Sequence, residues 1–119
     1  MPLSPSGPRR PDRLTVWLER TLAAATDAHH HLRDHAPGDT TALAWARGRI
    51  TGLRHAAETL VGVPPSAAAG LLGRLVAEAH SHHLETTERY GVDTERAVEA
   101  AGHHHALLTV LHQLDRRTR

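Results

Sequence analysis

Histidine is the residue type in this sequence that offers the most chemistry. Twelve of the 119 residues are His, and nine of these lie in three clusters. The clusters are His29-His30-His31, His80/His82/His83 and His103-His104-His105. A neutral imidazole is a good ligand for transition metals, and it exchanges its proton near neutral pH. The fold therefore decides whether these clusters form a metal site, a pH-sensitive group or a set of separate side chains.

The sequence shows no other arrangement that is typical of catalysis. Because it has no cysteine, it offers no thiolate as nucleophile or metal ligand. It contains no Walker loop, Rossmann glycine pattern or zincin motif, and no Glu stands three residues before a His, as di-iron carboxylate bundles require. Ser81 lies between His80 and His82, but neighbouring residues of a helix point about 100° apart, so they form no catalytic dyad. We therefore predict a protein that is not an enzyme.

Proline and glycine divide most of the chain into four segments with the apolar periodicity of helices. The first segment begins near Asp12 and stops at residues 36–38, and the second begins after the cap residue Asp39 and stops at 62–65. The third covers residues 65–90 and the fourth residues 94–116, with Gly91 as the glycine that ends the third. No segment alternates with period two between turn signals, so no strand is predicted.

The two halves of the chain are related by an internal repeat. Residues 11–60 align with residues 65–114 at a constant offset of 54, with twelve identities in fifty positions and no gap. The identical pairs are Pro11/Pro65, Leu18/Leu72, Arg20/Arg74, Ala23/Ala77, Ala25/Ala79, His29/His83, Asp39/Asp93, Thr40/Thr94, Ala46/Ala100, Gly48/Gly102, Leu53/Leu107 and Leu60/Leu114. Both turn and core positions match, which favours a duplicated helical hairpin over chance similarity between Ala-rich helices.

Two hairpins with short connections predict an all-α, up-down-up-down four-helix bundle with a pseudo-twofold axis between its halves. The predicted single domain covers 12–117, with hairpin one at 12–62 and hairpin two at 65–117. Residues 1–11 contain four prolines and are predicted to be a flexible Pro/Arg arm. The alternative fold is a pair of hairpins that separate and join a second chain in an intertwined dimer. Gly48-x-x-x-Gly52 indicates a place where another helix can approach closely.

In such a bundle the three His clusters share one level near one end, within about two helical turns of each other. Helical phase leaves His30, His55 and His103 largely exposed and turns a second set inward, namely His29, His82, His83 and His104. The inward set is the predicted metal site, for Zn, Ni, Co or Cu. Two other interpretations stay open: solvated or hydrogen-bonded histidines without a metal, and a buried neutral layer that senses pH.

Arginines near the two chain ends suggest a second surface. An up-down bundle brings both ends of the chain to the same end of the molecule, where the Arg side chains can bind phosphate. The residues are Arg9, Arg10, Arg13, Arg116, Arg117 and Arg119. Fourteen Arg are nearly balanced by thirteen acids, so the whole molecule exerts no strong field on nucleic acid. Any affinity of this kind must be local.

The composition limits the remaining classes. All fourteen cations are Arg, with no Lys or Asn in the chain, which indicates a GC-rich genome such as that of an actinobacterium or its phage or plasmid. No signal-like stretch or apolar run near the ~20 residues of a membrane span is present, so we expect a cytoplasmic protein without a membrane partner. We predict a small helical interaction protein whose partner is another protein or a second copy of itself. Metal binding and nucleic-acid binding are the alternative functions.

Overall fold

Four helices account for most of the residues that the computed structural model describes, which are residues 13–118. They are α1 (Arg13–His35), α2 (Thr40–Leu60), α3 (Pro65–Tyr90) and α4 (Glu95–Thr118), and this part of the chain contains no strand. The all-α prediction and the division into four segments are confirmed. The predicted arm at 1–11 lies outside the described residues. None of the four helices is both long and apolar enough to cross a membrane.

The helix ends follow from local hydrogen bonding and backbone geometry. The Asp39 carboxylate accepts a hydrogen bond from the N–H of Ala42 at 3.0 Å and caps α2, as predicted. At the start of α4 the cap is Thr94, whose hydroxyl accepts from the N–H of Ala97 at 3.3 Å, one residue later than the equivalent of Asp39. Gly91 ends α3 with φ of +94°, which glycine adopts without the strain a Cβ would cause.

The helices form an up-down-up-down bundle whose central pair is α2 and α4. Helices α2 and α4 share the largest contact, α1 packs on α2, and α3 packs on α4. The connections 36–39, 61–64 and 91–94 are all short, so successive helices are antiparallel and the two central helices run parallel. Among the described residues no Cα atom of α1 lies within 8 Å of a Cα atom of α3. The two hairpins therefore pack on each other inside one chain, through α2 and α4.

Two glycines at equivalent positions of the repeat bring α2 and α4 into backbone contact. A Cβ on Gly102 would lie 2.5 Å from the carbonyl oxygen of Trp45, and a Cβ on Gly48 would overlap the carbonyl oxygen of Glu99. Trp45 and Glu99 are themselves 54 residues apart, so the two contacts are related by the offset of the repeat. The pseudo-twofold axis passes through this crossing. Gly52 extends the contact, since its Cβ would lie 2.9 Å from that of Ala106.

The hydrophobic core fills one end of the bundle. We call this end the base, formed by the first halves of α1 and α3 and the second halves of α2 and α4. Its largest fully buried side chains are Leu53, Leu72, Leu107 and Val110, with Leu14, Trp17, Leu22, Leu60, Leu75, Val76 and Leu111 packed around them. The opposite end, which we call the head, contains the turns 36–39 and 91–94 and the His clusters. Aliphatic burial thus stabilises the base and leaves the head free to form clefts.

The close α2–α4 crossing predicts opposite effects for two Gly→Ala substitutions. Gly48→Ala places a methyl group against backbone atoms, so the helices must separate, and we expect a loss of about 3 kcal/mol or more in the free energy of unfolding. Gly70→Ala is the matched control, because no atom lies within 4 Å of the added Cβ on α3. It should stabilise by about 0.5–1 kcal/mol through helix propensity. Urea denaturation measures both, and equal effects would contradict the packing.

Candidate functional site

The head contains a polar cleft between α2, α3 and α4. Its volume is about 520 Å³. Its charged and polar lining comes mainly from the end of α3 and the start of α4. The lining residues are Gly48, Thr51, His82, Glu85, Thr86, Arg89, Tyr90, Arg96, Glu99, Ala100 and His103. Acids, bases and imidazoles thus face one space at the end of the bundle away from the aliphatic core.

A second cleft lies on the other side of the α2–α4 crossing, between α1, α2 and α4. We call it the apolar cleft, and its volume is about 720 Å³. Its walls are mostly alanine and larger apolar side chains, with a few polar groups at the edge. The lining residues are Ala25, Ala28, Leu32, Asp39, Thr41, Ala42, Trp45, Ala46, Arg49, Val98 and His105. Trp45 keeps 39% of its surface exposed, which is large for the biggest apolar side chain in the head.

The two clefts occupy equivalent positions in the repeat. Each is lined by eleven residues, and seven of these form pairs at the offset of 54. The pairs are Ala28/His82, Leu32/Thr86, Ala42/Arg96, Trp45/Glu99, Ala46/Ala100, Arg49/His103 and Thr51/His105. The two hairpins therefore form the same kind of cleft twice, and the side chains make one charged and the other apolar.

His103 is the most constrained histidine of the polar cleft. Its ring occupies the space that a side chain on Gly52 would need, since a Cβ there would lie 3.1 Å from His103 Cδ2. The ring of His55 stands edge-on to it with the centroids 5.8 Å apart. His103 Nε2 is buried and has no hydrogen-bond partner among the described residues. The prediction that His103 is largely exposed was wrong, because helical phase did not account for the gap that a glycine leaves on the facing helix.

Burial and neighbouring imidazoles lower the pKa of His103. Desolvation is the largest cause, the positive charges of protonated His55 and His82 act in the same direction, and the Glu99 carboxylate opposes them. His103 is therefore neutral at neutral pH. A neutral ring with a buried, unpartnered Nε2 carries its proton most favourably on Nδ1, because a buried N–H without an acceptor costs more than a lone pair.

Two groups of charged side chains border the polar cleft. Arg47 reaches from α2 to α4, with Nε 3.3 Å from Glu99 Oε1 and Nη2 3.9 Å from Glu95 Oε2. These ion pairs are half exposed, so they fix the geometry of the head more than they stabilise it. At the turn between α3 and α4, the Arg96 guanidinium lies 4.6 Å above the Tyr90 ring. A hydrogen bond from Arg89 and the charge of Arg96 lower the pKa of the Tyr90 phenol.

The structure separates the four histidines predicted to bind a metal. His83 and His104 lie close, with ring centroids 6.3 Å apart. His82 lines the polar cleft beside His103 instead. His29 is on α1, next to His30 and apart from α3, and desolvation and Arg33 lower its pKa. Among residues 13–118 no three His, Asp or Glu side chains are already positioned around one metal ion.

The predicted arginine surface is described only in part. Arg13 begins α1, and Arg116 and Arg117 lie in the last turn of α4, all exposed at the base. Arg9, Arg10 and Arg119 lie outside the described residues. The structure thus places three of the six arginines at one end of the molecule, as the up-down topology requires.

No family model, curated protein or solved structure matches this chain.

The residues that line the apolar cleft were not among the predicted site residues. Trp45 lies beside, not on, the periodic apolar stripe of α2, and its exposure depends on how α1 and α4 flank it. His80 was also missed, although its spacing of three from His83 places both on one face of α3.

The lowered pKa of His103 predicts a pH-dependent stability. Near and below the ordinary histidine pKa of ~6.5, His103 binds more protons in the unfolded chain than in the folded one. The free energy of unfolding is therefore maintained above that pH and decreases as the pH drops through it. His103→Gln should reduce the loss of stability measured by urea denaturation between pH 7.5 and pH 5.5, in a buffer that contains a metal chelator. His30→Gln is the matched control on an exposed surface and should leave the loss unchanged. An unchanged loss in His103→Gln would contradict this origin.

Proposed function

We propose that this protein is a non-enzymatic interaction module whose apolar cleft binds a helical segment of a partner protein. The observation that carries the proposal is the position of Trp45. Its ring is 39% exposed in a cleft with aliphatic walls, and its centroid lies 5.3 Å from that of His105. Partly exposed Trp residues in such clefts are typical anchors of protein interfaces, where they contribute a large share of the binding energy.

The dimensions of the apolar cleft suit a helix. On α1 its wall runs from Ala25 through Ala28 to Leu32, a length of about 10 Å at the helical rise per residue. This equals about two turns, over which an amphipathic helix presents two or three apolar side chains on one face. Ala42 and Ala46 on α2 have short side chains, so they leave room for the side chains of the incoming helix.

The charges around the apolar cleft favour an acidic partner. Arg49 lines the cleft and pairs with no carboxylate of residues 13–118, where Arg47 forms the ion pairs to Glu95 and Glu99. The carboxylate in this cleft, Asp39, caps the start of α2. Positive charge at the rim attracts and orients a helix whose polar face carries Asp and Glu.

The polar cleft occupies the equivalent position in the repeat, and its different lining supports this assignment. Its walls replace Trp45 with Glu99, Leu32 with Thr86 and Ala28 with His82, in the same positions. An apolar side chain would bury those polar groups without partners there, which costs free energy. The same backbone shape therefore provides one site for an apolar helix face and one that excludes it.

The proposal predicts where the partner contacts the chain. A benzophenone amino acid at position 45, in the cells that make the protein, should crosslink to a discrete protein at a segment that reads as an acidic amphipathic helix. The same probe at position 61, which is exposed on the α2–α3 connection at the opposite end of the bundle, is the control and should not capture that segment. Crosslinks to a second copy of the chain would show self-association instead.

A synthetic peptide of the captured segment tests the cleft directly. Trp45→Ala should weaken its binding about 30-fold or more, as expected for an anchor worth ~2 kcal/mol. Arg49→Glu should weaken it as well, and should improve binding of a variant peptide whose acidic residues are changed to Arg. Val61→Ala, at an exposed apolar residue of the α2–α3 connection, is the matched control. Equal affinity of Trp45→Ala and the unchanged protein would refute the proposal.

A further inference from the structure

Three histidines meet across α3 and α4 on a face that neither cleft uses. The ring centroid of His104 lies 5.1 Å from that of His80 and 6.3 Å from that of His83. His80 and His83 are three residues apart on α3, and His104 faces them from α4. His80 is exposed, and His83 and His104 are partly exposed, so an ion from solution can reach all three.

We propose that His80, His83 and His104 together bind one divalent transition-metal ion that links α3 to α4. The set differs from the four histidines singled out by helical phase, because it gains His80 and loses His29 and His82. It is independent of the apolar cleft, which α3 does not line.

The separation of His80 and His104 fits two ligands of one ion. Two imidazoles bound tetrahedrally at Zn–N distances of about 2.0–2.1 Å have ring centroids about 5 Å apart. His80 and His104 already have this separation, at 5.1 Å. The His83 ring centroid lies about 1 Å farther from that of His104 than two ligands of one ion require. This agrees with the finding that no three such side chains among the described residues already converge on one point. A change of side-chain torsions at this partly exposed residue brings it into range, and water completes the coordination.

The chemistry of the three side chains selects the kind of ion. All three donors are imidazole nitrogens, which suit Zn, Ni, Co and Cu, whereas Mg and Ca prefer oxygen. Burial lowers the pKa of His104, and the charges of His80, His83 and His105 act in the same direction, with no carboxylate among them. His104 is therefore neutral at neutral pH and its lone pair is available without prior loss of a proton.

An ion at this position also acts on the tertiary structure. Helix α3 makes its main contact with α4 and only a small one with α2, and the core that holds it lies at the base. A link at the head fixes the half of the hairpin that the core stabilises least. Because the metal binds the folded arrangement and not the unfolded chain, it must raise the melting temperature.

A second pair of histidines provides a built-in control. His31 and His35 are four residues apart on α1, with stacked rings 4.2 Å apart, and His35 Nδ1 lies 3.0 Å from the carbonyl oxygen of His31. This pair can hold an ion only within one helix. Substituting both residues therefore shows how much of the measured zinc effect comes from binding within a single helix.

The test is zinc titration of the full, untagged chain, purified without a nickel column and freed of metal with a chelator. We expect one Zn²⁺ per chain in the tightest step by calorimetry, and a rise of several degrees in melting temperature. His104→Gln and, separately, His80→Gln should each abolish the rise and weaken the tightest step at least tenfold. The double variant His31→Gln/His35→Gln should leave both unchanged. With Co²⁺, the unchanged protein should show visible absorption of a four- or five-coordinate site, which His80→Gln loses.

Three results would overturn the proposal. They are the absence of any zinc-dependent rise, a rise that persists in both His80→Gln and His104→Gln, and a rise lost only in the His31→Gln/His35→Gln variant. His80 is exposed and its substitution leaves the core untouched, so loss of binding in that variant cannot be attributed to unfolding. Melting curves without zinc confirm that each variant folds.

Discussion

The backbone contact between Gly48 and Gly102 determines how the rest of the molecule is arranged. With no side chain at either position, α2 and α4 come close enough for each glycine to meet a carbonyl group of the other helix. This parallel pair then occupies the centre, so α1 and α3 pack on opposite sides of it and their backbones stay apart. Both clefts follow from this arrangement, because each is the space between the crossing and one outer helix at the end where the core stops.

The sequence predicted the elements of this fold better than it predicted their neighbours. Periodicity and turn residues placed all four helices, and the offset of 54 identified Gly48 and Gly102 as equivalent positions. Helical phase states which way a side chain points but not which helix it meets. His29 and His83 are equivalent in the repeat and were both predicted to point inward, yet the central pair keeps them on opposite sides. For the same reason His103 was predicted to be exposed, although Gly52 on the facing helix leaves a space for it.

The repeat explains how one short chain presents two different surfaces. The two hairpins provide the same cleft backbone, and a few exchanged side chains decide its chemistry: Trp45 faces one cleft where Glu99 faces the other, and Leu32 is matched by Thr86. Carboxylate, hydroxyl and imidazole groups require water or polar partners, whereas exposed indole and aliphatic groups favour an apolar partner. Substitutions at these few positions therefore change the chemistry of each cleft without any change in the packing that forms it.

Neighbouring histidines of α4 belong to different surroundings because a helix turns by about 100° per residue. His103 faces the polar cleft, His104 faces His80 and His83 on α3, and His105 lies against Trp45 at the apolar cleft. One run of three identical residues thus contributes to three separate sites, which no count of histidines reveals. Burial lowers the pKa of His103 and of His104, so both rings are neutral in the folded chain near neutral pH. Acid therefore destabilises the head in two ways. It protonates His103, which the packing keeps neutral, and it competes with any bound metal for the imidazole nitrogen of His104.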